Sequence, residues 1–146
     1  MNKDAVYLTQ TDTTVGFVSQ SSFHLAQAKE RDTAQPFILC VSSYKKQKNL
    51  TRTPKNFRKK VRRMRKVTWL YPNKKAIRVV KEHKHQTFLK NFTYVYSSSA
   101  NKNKKDFNLA YAKNQADIMI IDRSGFHQQQ ASTILKLGKN KIHKLR

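Results

Sequence analysis

The stretch YLTQTDTTVGF, residues 7–17, contains two apolar runs separated by a segment rich in hydroxyl groups. The first run is part of a predicted strand, AVYLT, and the second begins another, VGFVS. Between them lie Thr11, Asp12 and Thr13, a polar cluster of the kind that forms tight turns. The stretch therefore predicts a turn that carries hydroxyl and carboxyl groups directly after the first strand.

Outward from this stretch, short apolar runs alternate with amphipathic or polar segments. Six further strands are predicted at PFILCV, VTWLY, AIRVV, YVYS, DIMII and STILKL. The alternation favours an α/β (α+β) fold, a twisted open mixed β-sheet flanked by helices. A chain of 146 residues with 38% hydrophobic content has room for one modest core. We therefore expect a single domain over residues 1–146 with a short basic C-terminal tail, LGKNKIHKLR.

Three segments have helical character. Residues 21–30 begin with serines suited to the N-cap and place Phe23 and Ala26 on one face. Residues 54–66 have Thr53 as a candidate N-cap and Pro54 at the first helical position. The third predicted helix is DFNLAYAKNQA, residues 106–116.

The chain is strongly basic, with 31 Lys and Arg against 8 Asp and Glu and a formal net charge of +23. Such a charge favours polyanionic partners such as tRNA, nucleotides or an acidic membrane surface. The alternative is a solvated surface in a cell whose proteins are generally basic. The helix at 54–66 has an almost wholly cationic surface and no acid. Either it faces RNA phosphates or its charges simply face water. Its candidate RNA-binding residues are Arg58, Lys59, Arg62, Arg63 and Arg65.

Several kinds of site are disfavoured by the sequence. There is no glycine-rich phosphate loop, dinucleotide-binding fingerprint or nucleophile elbow. Cys40, the single cysteine, lies in an apolar run and is expected to be a buried core thiol. His83 and His85 lack clustered carboxylates, so we expect a surface segment and no metal site. Without a signal peptide or an apolar span, the protein is expected to be cytoplasmic and not in a membrane.

Polar groups follow several of the predicted strands and the first predicted helix. They are TDT at 11–13, KER at 29–31, Arg78 within AIRVV, and SSAN at 98–101. Ligands of open α/β sheets bind outside strand ends, so these four elements are candidates for one crevice. Hydroxyls, amides and cations hold carboxylates and phosphates. The alternative is ordinary loop structure, with Asp12 capping a turn.

In order and spacing these elements resemble the YrdC-like domain family of threonylcarbamoyl-adenylate synthases. QTDTTVGF is similar to the family opening P-T-D-T-x-Y-G-L. The other matches, in family order, are Lys29-Glu30-Arg31 for K-x-R, Pro36, Thr68, Ile77-Arg78-Val79 for the G-V-R-x-P strand, Ser98-Ser99-Ala100-Asn101 for S-A-N, and Ala131-Ser132-Thr133. The chain departs from the pattern at Gln10 and Val80, which stand where the family has proline.

The resemblance implies a nucleotidyltransferase that makes threonylcarbamoyl-AMP from L-threonine, bicarbonate and ATP for threonylcarbamoyladenosine modification of tRNA. It assigns ATP binding to Lys29, Arg31, Thr68, Ser99, Asn101 and Ser132. It assigns threonine binding to Thr11, Arg78 and Ser98. Mg²⁺ is expected to accompany ATP, held by phosphates and water, since no acidic cluster offers a cage. Downstream tRNA-modification proteins are expected partners.

Two other interpretations stay open on the sequence alone. In one, a YrdC-like fold with weakened catalysis works as a basic module that binds tRNA or double-stranded RNA. In the other, the chain is an unrelated small ribosome-associated protein. Retention of Lys29, Arg31 and Arg78 favours the synthase, because a pure RNA-binding module has no use for that constellation.

Overall fold

The computed structural model describes residues 1–146 and contains nine β-strands and five α-helices. The strands are β1 Tyr7–Gln10, β2 Val15–Ser19, β3 Ile38–Val41, β4 Val67–Leu70, β5 Ala76–Val79, β6 Val95–Ser99, β7 Ile118–Ile120, β8 Thr133–Leu137 and β9 Ile142–Lys144. The helices are α1 Ser22–Ala28, α2 Tyr44–Leu50, α3 Arg58–Arg63, α4 His83–Leu89 and α5 Leu109–Gln115. None of the helices has the length and apolar character that crossing a bilayer requires.

The chain divides into two compact units, each made of two separate segments. Unit 1 comprises residues 1–37 and 95–131, and unit 2 comprises residues 38–94 and 132–146. Helices and mixed strand pairing occur in both, which confirms the predicted α/β class. That the two units together make one domain stays a prediction.

In unit 1 the strands lie in the order β7-β1-β2-β6. The β1–β2 and β2–β6 pairs are antiparallel, whereas β7 runs parallel to β1. Apolar side chains from β1, β2 and α1 form a buried cluster that includes Leu8, Phe17 and Leu25. Burial of this face fixes the register of the strands, because a slip of one residue exposes the whole apolar set.

In unit 2 the strands lie in the order β3-β5-β4-β8-β9. The β3–β5 and β4–β8 pairs are parallel, and the β4–β5 and β8–β9 pairs are antiparallel. Cys40 in β3 is fully buried, as the sequence predicted. β3 is buried on both faces and therefore appears in the sequence as a continuous apolar run.

All eight predicted strands are confirmed, and a ninth was missed. The segment predicted as a basic tail contains β9, which pairs with β8 so that Leu137 is opposite Ile142. Its lysines hide the strand pattern, since only Ile142 is part of an apolar face. The tail is thus a hairpin strand and extends the sheet of unit 2.

The first and third predicted helices are confirmed with shorter bounds. Ser21 is the N-cap of α1 and accepts a hydrogen bond from the amide of His24. Asn108 caps α5 in the same way. Of the two residues placed on the apolar face of α1, Ala26 is buried, but Phe23 is 56% exposed and Leu25 takes the inward position.

The predicted helix over residues 54–66 is wrong at both ends, because α3 covers only Arg58–Arg63. Residues Lys55–Phe57 form a 3₁₀ turn before α3, and Pro54 has an extended ψ of 138°. Thr53 is therefore not an N-cap. Phe57 and Val61 are buried.

Helices α2 and α4 were not predicted, because both are short and strongly polar. Each begins with a side-chain cap, Ser43 for α2 and Glu82 for α4. His85 was expected on the surface, but it lies on the inner face of α4 and is only 2% exposed. Its burial was hidden by the lysine-rich neighbourhood.

Candidate functional site

The turn that follows β1 is closed by a threonine hydroxyl. Thr11 Oγ1 accepts from the amides of Thr13 and Thr14 at 3.2 Å each and donates to the Thr14 carbonyl. The Thr11 hydroxyl is a partner in all three of these hydrogen bonds. That Asp12 also caps the turn stays a prediction. Thr11 is nearly buried, which makes it a rigid part of the turn.

Gly16 allows two site elements to approach each other. A Cβ at this position would stand 2.9 Å from the Ser98 carbonyl oxygen and 3.0 Å from the methyl carbon of Thr11. Gly16 is paired with Ser99 across the β2–β6 ladder. The absence of a side chain therefore lets the Thr11 turn lie close to the serines of β6.

The end of α1 positions the K-x-R element. Glu30 has a positive φ of 52°, and its amide donates to the Gln27 carbonyl. The Arg31 amide donates back to the Ala26 carbonyl. This is the Schellman arrangement, in which a residue in the left-handed region ends a helix and reverses the chain. These hydrogen bonds fix the backbone that carries Lys29 and Arg31 at the end of α1.

Lys29 is 8% exposed and is surrounded by neutral oxygen acceptors of the S-A-N element. Its Nζ donates to the Ser99 carbonyl at 2.7 Å and to Asn101 Oδ1 at 2.9 Å. It also contacts the Asn101 carbonyl and, at 3.5 Å, Ser99 Oγ. Lys29 is thus joined by hydrogen bonds to two predicted site residues that lie 70 and 72 positions further along the chain.

Burial, together with the charge of Arg31, lowers the pKa of Lys29 to about 8. Arg31 is itself held in place, because its Nη2 donates to the Pro36 carbonyl at 2.7 Å and its guanidinium lies 4.6 Å from the Phe37 ring centroid. Burial lowers the pKa of Arg31 as well. The positive charges of Lys29 and Arg31 repel each other, and a bound anion relieves that repulsion.

A small cavity of about 180 Å³ adjoins Ser99 and Asn101. Its other lining residues are Thr14, Val15, Ala100, Phe107, Gln128, Gln129 and Ala131. A lining of backbone groups, side-chain amides and one aromatic ring can bind a neutral polar group of a ligand. Since no charged side chain lines the cavity, its chemistry differs from that of the cations Lys29 and Arg31.

In unit 2, Thr68 and Ser132 form a buried hydroxyl pair. Their side-chain oxygens are 2.8 Å apart, and the two residues are 0% and 2% exposed. Thr68 lies in β4 and Ser132 immediately before β8, its parallel neighbour. The parallel pairing therefore brings together two residues that the sequence separates widely.

Arg146 is a site candidate that the sequence analysis missed. Its guanidinium donates to the Ser132 carbonyl at 3.1 and 3.0 Å and reaches Ser132 Oγ at 3.4 Å. Burial and the positive charge of Arg78 lower the pKa of Arg146. Arg78 is only 4% exposed. Recognising the β8–β9 hairpin would have shown that the chain returns to Ser132.

The predicted residues thus fall into two groups. In unit 1 the structure gathers Lys29, Arg31, Ser99 and Asn101 in one group and places the Thr11 turn against Ser98. In unit 2 it gathers Thr68, Ser132 and Arg78 and adds Arg146. Both groups combine cations with hydroxyls or amides, which is a chemistry for binding carboxylates and phosphates.

The residues of the basic helix are all exposed, and they lie on or just after α3. The carbonyl groups at the end of α3 are held by Tyr44, whose hydroxyl contacts the Val61 and Arg62 carbonyls at 3.0 and 2.9 Å, and by Lys81. The arginine side chains of α3 are therefore displayed on a fixed helix.

No group of three or more His, Cys, Asp or Glu side chains that could hold a metal ion is present.

A family model, described as Sua5_yciO_yrdC, telomere recombination, matches residues 1–146. No curated protein sequence matches the chain.

Solved structures share the fold at low sequence identity. Sua5 of P. abyssi, in a structure complexed with L-threonine, matches with a TM-score of 0.77 and 15% identity over 97% of this chain and 50% of Sua5. E. coli YciO matches with a TM-score of 0.77 and 15% identity over 99% of this chain and 83% of YciO. Full-length HypF, in a phosphate- and nucleotide-bound form, matches with a TM-score of 0.77 and 8% identity over 97% of this chain and 26% of HypF. The chain thus spans about half the length of Sua5.

Proposed function

The chain belongs to the Sua5, YciO and YrdC family, and from that premise we propose that it is an L-threonylcarbamoyladenylate synthase. In this proposal it makes threonylcarbamoyl-AMP and pyrophosphate from L-threonine, bicarbonate and ATP, for threonylcarbamoyladenosine modification of tRNA. The observation that carries the proposal is Lys29, buried in unit 1 against Ser99 and Asn101 with neutral acceptors alone. A buried cation without a carboxylate partner favours an anionic ligand.

In unit 1 we assign the ATP phosphates to Lys29 and Arg31 and the nucleotide to Ser99 and Asn101. On binding, phosphate oxygens replace some of the neutral acceptors around Lys29. A phosphate also raises the pKa of this lysine back toward its ordinary value, since an opposite charge favours the protonated form. Thr11 and Ser98 are assigned to threonine, with Thr11 acting as part of a rigid turn wall.

In unit 2 we assign Thr68 and Ser132 to ATP and Arg78 to the threonine carboxylate. Arg146 joins this group as an anion ligand, because it reaches Ser132 and its charge faces that of Arg78. A planar guanidinium binds carboxylate or phosphate through two parallel hydrogen bonds.

The chemistry needs positioning and charge neutralisation more than proton transfer. Bicarbonate loses water to give CO₂, and the threonine amine adds to its carbon to form a carbamate, so that one water and one proton are released to solvent. An oxygen of this carbamate then attacks the α-phosphorus of ATP. The bond from the α-phosphorus to the bridging oxygen breaks, and pyrophosphate leaves with that electron pair. No protein nucleophile takes part, and the cations of the site stabilise the charge that develops on the phosphate oxygens.

We expect Mg²⁺ to enter with ATP, held by phosphate oxygens and water. The absence of a carboxylate cluster fits a cation carried by its nucleotide. Two solved structures with this fold support small-molecule binding, since Sua5 was solved with L-threonine and HypF with phosphate and a nucleotide.

The test is pyrophosphate release from ATP by the purified protein. We expect release to require both threonine and bicarbonate and to vanish in Arg31→Ala. Arg123→Ala is the matched control, because it removes one exposed cation from the same unit. No release by the unmodified protein, with ATP binding also undetectable by calorimetry, overturns the proposal.

A second candidate function is an RNA-binding module with weak catalysis, and the distribution of charge favours it. Seven of the eight acidic residues lie in unit 1, and 23 of the 31 basic residues lie in unit 2. Unit 2 therefore has a formal charge of +22, which favours binding of tRNA or double-stranded RNA. In this role α3 and its flank supply Arg58, Lys59, Arg62, Arg63 and Arg65.

A further inference from the structure

A second cavity lies within unit 2, between α2, α3 and the segment that joins them. Its volume is about 390 Å³, which is within the range of small-molecule sites. The lining residues are Tyr44, Gln47, Lys48, Thr51, Arg52, Thr53, Arg58, Val61 and Arg62. None of them belongs to the groups assigned to ATP or threonine.

The rim of this cavity is cationic. Lys48, Arg52, Arg58 and Arg62 are exposed side chains, and no Asp or Glu occurs anywhere between Asp32 and Glu82. Repulsion among the four cations is therefore not relieved by any acid in their own segment of the chain. An anionic ligand at the rim removes that repulsion.

The floor is less polar and is held in place. Val61 is 3% exposed, and the Tyr44 hydroxyl is fixed by the carbonyl groups at the end of α3. Burial raises the pKa of Tyr44, so its hydroxyl stays neutral. The ring of Tyr44 and the side chain of Val61 offer a surface on which an aromatic body can pack.

One wall is made of fixed hydrogen-bonding groups. Gln47 is 2% exposed, and its amide nitrogen donates to the Thr51 carbonyl at 3.2 Å and to Thr53 Oγ1 at 3.3 Å. Arg58 Nε donates to the Thr53 carbonyl at 3.3 Å. The segment from 51 to 53 is thereby anchored to both helices, and the cavity needs little rearrangement to accept a ligand.

We propose that this cavity is a second binding site, specific for a nucleoside 5′-phosphate. The phosphate lies among Arg52, Arg58 and Arg62, and the base packs toward Tyr44 and Val61. A volume of about 390 Å³ accommodates one nucleotide, not a stretch of duplex. The ligand is either a free mononucleotide or the 5′-phosphorylated end of an RNA strand, since both present the same chemical group.

The site is tested by calorimetric titration of the full chain with AMP, in an Arg31→Ala background that weakens the separate ATP site. We compare the pair Arg58→Gln and Arg62→Gln with the pair Lys55→Gln and Lys60→Gln. Both pairs lie on α3 or on the 3₁₀ turn that precedes it, and both remove two positive charges from exposed side chains. Only the first pair lines the cavity. Circular dichroism and thermal unfolding check that both variants fold.

We expect the cavity pair to weaken AMP binding at least about tenfold and the control pair to leave it within about twofold. Adenosine is expected to bind far more weakly than AMP. A trinucleotide with a 5′-phosphate that binds tighter than AMP identifies an RNA end as the source, and equal binding identifies a free nucleotide.

Three results overturn the proposal. The first is an equal loss of AMP binding in the two variant pairs, which indicates diffuse electrostatic attraction. The second is binding of inorganic phosphate as tight as that of AMP, which indicates an anion site without base recognition. The third is no AMP binding in the Arg31→Ala background. The synthase proposal is untouched by each of them, because it is measured by pyrophosphate release in the protein with Arg31 intact.

Discussion

Unit 1 and unit 2 have opposite charge characters. Unit 1 is close to neutral, with a formal charge of +1, whereas unit 2 has +22 of the total of +23. Yet the residues proposed for ATP and threonine occur in both units. The net positive charge of the chain and the location of its proposed ATP- and threonine-binding residues are therefore separate properties. Its buried cations belong to the candidate site, and most of its exposed cations lie elsewhere.

Within this comparison of the two units, the largest expected effect tests whether a buried cation of unit 2 has a chemical role. Arg78→Ala is expected to lower threonine-dependent pyrophosphate release on the order of 100-fold, because the threonine carboxylate loses its charged ligand. RNA affinity is expected to change little. Lys90→Ala, which removes an exposed cation of the same unit, is the control for activity. Equal losses of activity and RNA affinity in Arg78→Ala would contradict the separation, and thermal unfolding reports any loss of fold.

The next prediction concerns packing in each unit. Gly16→Ala is expected to cost about 2 kcal/mol of unfolding free energy, because the new Cβ meets the Ser98 carbonyl of an internal strand pair. Gly138→Ala in unit 2 creates a contact of the same 2.9 Å length, with the Lys141 carbonyl. That contact lies in the exposed turn of the β8–β9 hairpin and not between internal strands, so the loss is expected to be smaller. Urea unfolding measures both, and a larger loss for Gly138→Ala reverses the expectation.

A third prediction sharpens the charge contrast. Replacement of Lys59, Arg63 and Arg65 by Gln is expected to weaken tRNA binding about tenfold. The slope of the logarithm of the binding constant against the logarithm of salt concentration is expected to decrease in magnitude by about one for each phosphate that is no longer neutralised. Replacement of Lys102, Lys104 and Lys105, three exposed cations of unit 1, by Gln changes the net charge equally. We expect little effect from that second set. Binding measured over a series of salt concentrations compares the two, and an unchanged slope in the first set means that α3 only faces water.

The smallest expected effect is at the end of α1. Glu30 has a φ of 52°, where glycine is favoured, so Glu30→Gly is expected to stabilise the protein by about 0.5–1 kcal/mol. Glu30→Ala keeps a Cβ and is the matched control. If alanine stabilises as much as glycine does, the gain comes from removing a charge and not from the backbone, and the strain argument is wrong. Thermal unfolding of the two variants gives the comparison.

Apolar runs in the sequence were sufficient to predict eight strands, and a cap residue with an apolar face predicted the first helix. Helices α2 and α4 could not be predicted in this way. Each presents a narrow inner face, such as Gln47 in α2, and their stability depends on caps and tertiary contacts. One such contact is made by Lys46 of α2, whose amine donates to carbonyl groups at the end of α4.

The candidate site could be predicted as a set of residues but not as a geometry. The family resemblance, now confirmed by the match over residues 1–146, supplied Lys29, Ser99 and Asn101. It did not reveal that Lys29 is buried among carbonyl oxygens or that the Thr11 hydroxyl closes its own turn. Arg146 was missed because only the pairing of β8 with β9 returns it to Ser132.

By itself the sequence determined the α/β class, the positions of the main strands, the family and the net charge, since each depends on local pattern or composition. Only the tertiary structure decided which cations are buried and which are displayed, and that Arg52, Arg58 and Arg62 surround a cavity. The physical reason is that burial and charge proximity are produced by strand pairing and helix packing between distant segments. A lysine in the sequence carries the same charge at position 29 and at position 59, and its surroundings give it a different chemistry.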